Sequence, residues 1–251
     1  MAADVIVGAE VASAQQIPLA KIDHTPWDRL LNKYVDQQGM VDYRGLQASA
    51  VDSKTLDDYL LHLSHANGQG SREEKLAFWI NAYNALTIKG ILREYPTSSI
   101  RNHTAVLFGY NIWKNLKLRV AGQAVALESI EHDKLRGLGD PRIHFAIVCA
   151  SKGCPQLRAE AYSPHRIDAQ LSANAKQFFS DPNKFQFDEQ RRSLALSPVL
   201  KWFAEDFGND QTARLQRIAG WLPNAAAQRL AASGTASVRY LTYDWALNDQ
   251  L

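Results

Sequence analysis

A long helical pattern over residues 71–94 constrains the fold more than any other feature of this sequence. Ser71 occupies the position of a helix N-cap and Glu74 follows three residues later, which together predict a capping box. Residues 77–88 in the middle of the stretch are apolar on nearly all sides, a pattern typical of a helix buried in a domain. The chain is therefore predicted to fold around a central helix.

Asn81 and Asn84 interrupt this apolar pattern. Because they are three residues apart, they share one face of the predicted helix. A buried amide without a partner costs about 1–3 kcal/mol, so both side chains need hydrogen-bond partners inside the domain. We expect them, together with Trp79, to support or line a functional site.

The remaining patterns predict an α+β fold, with helical layers packed on a small, mainly antiparallel sheet. Further helices are predicted over residues 25–35, 56–63, 127–136, 167–180 and 199–207, and hairpins over 117–126 and 185–197. Residues 41–45 are predicted to be extended, residues 143–148 to form a buried strand and residues 238–243 a late strand. We expect residues 1–20 to be a flexible N-terminal segment and residues 21–251 to be a single domain.

Composition excludes several classes of function. The 28 basic and 26 acidic residues of this 251-residue chain give a net charge of +2, and no basic cluster suited to a nucleic acid is present. No apolar run reaches the length of about 18 residues that a membrane-spanning helix needs. The sequence contains no phosphate loop, dinucleotide fingerprint or zinc-protease motif, so neither a cofactor nor a metal is predicted.

Cys149 is predicted to lie at the exit of the strand over residues 143–148, where a thiol faces a cleft. The following loop supplies Ser151 and backbone N–H groups, which are suited to stabilising a thiolate and later an oxyanion. A buried, inert cysteine is the alternative interpretation. Cys154 lies five residues further on, and this spacing does not decide between a disulfide and two thiols.

A reactive thiol needs a base, and His132 and His144 are the candidates. Strand alternation turns His144 away from Cys149, whereas the helix carrying His132 returns beside the strand. Glu131 is adjacent to His132 but points about 100° away, so Glu128 is the better stereochemical partner of the ring. A surface histidine and a carboxylate that stabilises the helix dipole are the alternatives.

Four blocks of the sequence resemble the DUF547 family: FWINAYN at 78–84, IEHDKLR at 130–136, RIHFAIVC at 142–149 with Cys154 and Pro155, and YDWALN at 243–248. The resemblance implies a bacterial, often exported domain with a Cys-His-Glu thiol site similar to those of papain-like or transglutaminase-like enzymes. The blocks supply Cys149, His132 and Glu131. Plant relatives carry serine at the position of Cys154, which favours a lone reactive thiol over a required disulfide.

Three functions are compatible with these features. The first is a cysteine-dependent hydrolase or acyl/amide transferase that acts on a peptide or a small thiol or amide substrate. The second is a thiol-redox or glutathione-like thiol-binding module that uses both cysteines, and the third is a non-catalytic binding domain. The small residues at 2–4 favour a periplasmic or otherwise exported protein whose signal peptide has been removed, with the cytoplasm as the alternative.

Overall fold

The computed structural model describes residues 3–105 and 110–250. Its helices are α1 (Thr25–Tyr34), α2 (Tyr43–Ala48), α3 (Ala50–Leu63), α4 (Arg72–Glu94), α5 (Ile112–Asn115), α6 (Leu127–Ser129), α7 (Ile167–Ser180), α8 (Val199–Trp202), α9 (Ala204–Phe207), α10 (Gln211–Ile218) and α11 (Ala225–Ala232). The strands are β1 (Val5–Val7), β2 (Leu116–Val120), β3 (Gln123–Ala126), β4 (Phe185–Asp188), β5 (Ser193–Leu196) and β6 (Ser237–Tyr240). A π-helical turn covers Ile130–Leu135, and a 3₁₀ helix covers Pro141–Phe145.

The predicted central helix is present as α4. Its capping box is complete, because the Glu74 amide donates to Ser71 Oγ at 3.2 Å and the Ser71 amide donates to Glu74 Oε2 at 2.8 Å. Every residue from 76 to 88 is buried. The helix therefore forms the middle of the domain, and elements that precede it and elements that follow it in the chain pack around it.

The strands form two small three-stranded sheets within the described residues, which confirms the α+β class. Each sheet is mixed: β2 pairs antiparallel with β3 and parallel with β1, while β5 pairs antiparallel with β4 and parallel with β6. The prediction of one mainly antiparallel sheet is therefore corrected: the described residues form two sheets, and each contains one parallel and one antiparallel pair. Hairpins leave a local signal in the sequence, whereas a parallel neighbour comes from a distant segment. Strand β1 lies within residues 1–20, and the division at residue 20 stays a prediction.

Two hydrophobic clusters form the interior. The first surrounds α4 and includes α1, α3 and β2, and the second joins Phe145 to α7, β4 and β5 and to the helices from α8 onwards. Tyr243 packs against both clusters. The junction between them is where the candidate site lies. Among the described residues, no helix is long and apolar enough to cross a bilayer.

Two predictions of extended structure are wrong. Residues 143–148 are not a strand, because the 3₁₀ helix Pro141–Phe145 begins where the Asp140 carboxylate accepts a hydrogen bond from the Arg142 amide at 3.1 Å. A short run of buried apolar residues does not distinguish a strand from a buried helical segment. Residues 41–45 lead into α2, which Asp42 caps by accepting from the Gly45 amide at 2.7 Å.

Candidate functional site

A pocket of about 320 Å³ lies at the junction of the two clusters. It brings together most of the groups expected to carry chemistry, namely Cys149, Cys154, Glu128, Glu131, His132 and His144. Its wall is aromatic and consists mainly of Tyr83, Trp113, Trp202, Phe203, Tyr243 and Trp245. A concave apolar pocket with a few convergent titratable groups is the usual form of a small-molecule or catalytic site.

Cys149 and Cys154 form a disulfide at this pocket. The expectation of a lone thiol at Cys149 is therefore corrected. Two hydroxyl groups surround the sulfur of Cys149, since Ser151 Oγ and Tyr243 Oη both lie 3.2 Å from its Sγ atom. Tyr243 also donates to Cys154 Sγ at 3.1 Å. The disulfide is thus covered by hydrogen-bond donors on one side.

The loop between the cysteines is held by the segment over residues 241–250. The amides of Lys152 and Gly153 donate to the carbonyl groups of Ala246 and Asp244, each at 2.8 Å. The Cys154 amide is occupied as well, by the Ser151 carbonyl at 3.0 Å. These three N–H groups are therefore engaged in fixing the loop, and the expectation that they serve an oxyanion is not supported.

Close packing and an unusual backbone angle mark this loop as tightly constrained. A Cβ atom on Gly153 would lie 2.8 Å from the Asp244 carbonyl oxygen and 2.9 Å from the Tyr243 ring, so only glycine fits there. Ala150 adopts a left-handed conformation with φ of 56°. A non-glycine residue in this region is uncommon, and such residues cluster at functional sites.

The π-helical turn Ile130–Leu135 presents Glu131 and His132 to the pocket. Such turns are rare and frequently occur at functional sites. The Nδ1 atom of His132 accepts a hydrogen bond from Arg136 Nη1 at 3.1 Å. Arg136, and neither of the two glutamates, is thus the partner of this ring, while Glu128 lies 3.9 Å from Lys114.

His144 lies beside these groups although the sequence pattern excluded it. Its ring is buried, with 2% of the residue exposed, and stacks on Phe203 with the ring centroids 4.0 Å apart. Its Nε2 atom is 2.6 Å from Asp206 Oδ2, while Nδ1 has no hydrogen-bond partner within the described part of the chain and lies 3.9 Å from Glu131 Oε1. The 3₁₀ helix, instead of a strand, explains why His144 and Cys149 line the same pocket.

Burial moves two pKa values in this cluster in opposite directions. Desolvation raises the pKa of Glu131 to about 7, and it lowers the pKa of His144 to about 4. Burial also acts to raise the pKa of Asp206, but hydrogen bonds from Arg136 and His144 outweigh it and the pKa is lowered. At neutral pH the His144 ring is therefore neutral, the Asp206 carboxylate that contacts it is ionised, and Glu131 exchanges its proton.

We expect Glu131→Gln to change how stability depends on pH. The carboxyl pKa is near 4.5 in the unfolded chain and about 7 in the folded protein, so the folded state holds the proton more tightly. Its contribution to stability is fully present below pH 4.5 and is lost as the pH rises through 7, by about 3 kcal/mol. Denaturant unfolding of both proteins from pH 4.5 to 8 measures this difference. A constant difference across the range would contradict the raised pKa.

Three other residues that were predicted to support or line the site, Trp79, Asn81 and Asn84, do not line this pocket. Trp79 contacts a different pocket, where Lys134 Nζ lies 5.9 Å from its ring centroid. Asn81 pairs with the backbone of Tyr162 through two bonds of 2.9 Å. Asn84 donates to the Ala146 carbonyl at 3.0 Å and accepts from the Val148 amide at 2.9 Å. The asparagines support the site by fixing backbone and do not line the pocket.

Sequence reasoning overlooked or excluded several groups at this site, namely His144, Arg136, Asp206 and Tyr243. Arg136 and Tyr243 belong to two of the blocks used for the family resemblance, so a signal for them was present. Asp206 has no such signal, because only the tertiary fold brings α9 to the pocket.

The fold and the pocket define an α+β protein with a cysteine pair, two glutamates and two histidines around an aromatic cavity. The model of the family DUF547, described as a protein of unknown function, matches residues 68–179, so this part of the chain is similar to that family. The matched range contains both cysteines, Glu131, His132 and His144, whereas Asp206 and Tyr243 lie outside it. No curated protein and no solved structure matches the chain.

Proposed function

We propose that the protein is a cysteine-dependent hydrolase or acyl/amide transferase in which the reduced form of Cys149 is the nucleophile. The observation that carries this proposal is that Cys149 shares one pocket with Glu131 and two histidines. A nucleophile, proton-exchanging groups and a concave apolar surface are the parts that acyl transfer needs. The papain-like or transglutaminase-like character of the site stays part of the proposal.

The surroundings of Cys149 favour a thiolate once the disulfide is reduced. The hydroxyl groups of Ser151 and Tyr243 lie 3.2 Å from its sulfur, where both are able to donate hydrogen bonds to a negative charge. Hydrogen bonds to the charged form lower a pKa, and the thiolate is the nucleophilic form of cysteine. Attack on a carbonyl carbon would produce a thioester, which water or an amine then resolves.

Glu131 and His132 complete the Cys-His-Glu set. Glu131 is suited to proton exchange because burial raises its pKa to about 7, close to an ordinary working pH. The hydrogen bond from Arg136 to Nδ1 of His132 leaves Nε2 as the nitrogen that carries the proton. His132 is thereby better suited to donate a hydrogen bond to a substrate carbonyl oxygen than to accept a proton.

The aromatic wall indicates the substrate class. Trp202 is half exposed at 49% and stacks with Trp245 at a centroid distance of 5.7 Å, beside Tyr243. Aromatic side chains contribute large apolar contact area. We propose a peptide or small amide or thiol ester whose acyl side carries an apolar or aromatic group.

The disulfide specifically favours a second function, thiol–disulfide exchange. A substrate thiolate would attack one sulfur of the Cys149–Cys154 bond and form a mixed disulfide, and the other cysteine would leave as a thiolate. A second substrate thiol then resolves the mixed disulfide, so that two electrons reach the protein and a substrate disulfide is released. The disulfide also supports the proposal that the protein works in an oxidising, exported location.

Cys154→Ser separates the two functions, because this variant keeps Cys149 and cannot form the disulfide. For the hydrolase or transferase, we expect the variant to cleave a chromogenic thioester or ester without added reductant, whereas the wild type needs reduction first. Its Cys149 should react with iodoacetamide with an apparent pKa below about 8.5, the ordinary value for cysteine.

Other outcomes of this experiment are equally informative. A variant that accumulates a mixed disulfide with glutathione and shows no ester turnover would favour thiol–disulfide exchange. Alkylation of Cys149 with an ordinary thiol pKa, together with no turnover and no mixed disulfide, would exclude both functions.

A further inference from the structure

We infer that His144, held by Asp206, is the base that removes the proton from the Cys149 thiol, with Glu131 as its acid partner. The inference rests on the proposed function and assigns the proton transfers within it. It replaces His132 in the role of proton acceptor. The assignment depends on the hydrogen bonds of the His144 ring and on its place in the pocket.

The hydrogen bonds of His144 fix which nitrogen is basic. Asp206 accepts two hydrogen bonds from Arg136, each 2.7 Å long, so its carboxylate is held in the ionised form. An ionised carboxylate only accepts, and His144 Nε2 lies 2.6 Å from it, so Nε2 carries the ring proton. The lone pair is therefore on Nδ1.

The Nδ1 atom of His144 is buried and has no hydrogen-bond partner among the described residues. A buried nitrogen without a hydrogen bond costs about 1–3 kcal/mol. The ring would avoid this cost if Nδ1 had a hydrogen-bond partner. The ring lines the pocket with Cys149, and the nearest acidic oxygen, Glu131 Oε1, is 3.9 Å from Nδ1. The residue with the free lone pair therefore lines the same pocket as Cys149 and Glu131, the groups whose protons move in acyl transfer.

The surrounding charges suit this role. The charged and titratable groups that face His144 are Asp206, Glu131, Arg136 and His132. Asp206 stabilises the imidazolium that forms when Nδ1 takes a proton, just as it orients the neutral ring beforehand. Burial keeps the ring neutral at working pH, so the Nδ1 lone pair is unprotonated, and it favours the protonated, acidic form of Glu131.

The proton transfers balance over one cycle. The Cys149 proton moves to His144 Nδ1 as the sulfur–carbon bond forms, and Glu131 gives its proton to the leaving group as the bond from the carbonyl carbon to that group breaks. The proton on Nδ1 then passes to the Glu131 carboxylate, which restores both groups. Water repeats the sequence on the thioester: its proton goes to Nδ1, its oxygen bonds to carbon, and the Cys149 thiolate leaves and receives the Glu131 proton.

The pH dependence of Cys149 alkylation by iodoacetamide tests this inference in the Cys154→Ser protein, whose thiol is always free. His144→Gln keeps a donor for Asp206 but removes the basic Nδ1, so we expect alkylation at pH 6 to fall at least about tenfold, with a change of less than about threefold at pH 9. Asp206→Asn is the second variant, because an amide that donates to Nε2 would leave the proton on Nδ1. The same selective loss at pH 6 is expected from it.

His24→Gln is the matched control, since His24 is partly buried with a lowered pKa but hydrogen bonds to Tyr59, and neither residue lines the pocket. Its alkylation profile should match the parent. An unchanged profile in both His144→Gln and Asp206→Asn would overturn the inference while leaving the proposed function in place. An ordinary thiol pKa in the parent Cys154→Ser protein would instead overturn the proposed function.

Discussion

Cys149→Ala is expected to lower kcat/KM for a thioester or ester substrate by at least about 10³-fold under reducing conditions. The variant lacks the only protein atom that bonds to the acyl group in the proposed mechanism, and Cys149 lines the pocket. Steady-state hydrolysis of a chromogenic ester measures the loss. Mass spectrometry of the intact protein should show an acyl adduct in the Cys154→Ser protein and none in Cys149→Ala.

Cys154→Ala provides the matched control for this prediction. It also removes the disulfide and one sulfur atom, so any general effect of losing the bond is shared by the two variants. We expect Cys154→Ala to retain turnover within about tenfold of the reduced wild type. If Cys149→Ala keeps full activity, the nucleophile is another group and the proposed mechanism is wrong.

Asn84→Ala is expected to destabilise the protein by about 2–4 kcal/mol. The substitution removes two hydrogen bonds at once and leaves the Ala146 carbonyl and the Val148 amide buried without partners. Each buried group without a partner costs about 1–3 kcal/mol. Because the affected backbone leads directly into Cys149, we also expect the alkylation rate of that thiol to change.

Thr87→Val is the control for Asn84→Ala. Thr87 lies three residues further along α4 and is buried, but its hydroxyl has no hydrogen-bond partner among the described residues. Removing that hydroxyl should therefore leave stability unchanged within about 1 kcal/mol or raise it. Denaturant unfolding compares both variants with the wild type. Equal losses of stability in the two variants would show that the two hydrogen bonds of Asn84 to the backbone do not make a specific contribution to stability.

The sequence was informative wherever structure depends on neighbours along the chain. The capping box of Ser71 and Glu74, the buried middle of α4 and the hairpin of β2 and β3 all leave local signals, and all are present. Cys149 and His132 were predicted from their positions along the chain, the blocks that resemble a family supported both and added Glu131, and all three line the pocket. Whether they act as a Cys-His-Glu triad stays a prediction.

The errors arose where tertiary contacts decide the local structure. The residues of Pro141–Phe145 have the composition of a buried strand, but Asp140 caps a 3₁₀ helix and Asn84 binds the backbone that follows. This single error removed His144 from consideration, because strand alternation would turn it away from Cys149. Once the helical geometry is known, both residues line one pocket.

The hydrogen-bond partners of His132 and His144 were likewise not predictable from spacing along the chain. Pairing rules along a helix favoured Glu128 as the partner of His132 and the family resemblance favoured Glu131, whereas Arg136 is the residue that binds its ring. Asp206 is 62 residues from His144 along the chain, and their contact exists only because α9 packs beside the 3₁₀ helix. Spacing rules describe neighbours within one element and give no information on such contacts.

The segment over residues 241–250 supplies Tyr243 and the carbonyl groups that hold the loop between the cysteines. Translation is vectorial, so the ribosome releases this segment well after the matched family region over residues 68–179. A nascent chain therefore exposes both cysteines before the residues that shape their pocket exist. The pocket therefore stays incomplete until residues 241–250 have been synthesised, and Cys149 gains the hydroxyl group of Tyr243 only at that stage.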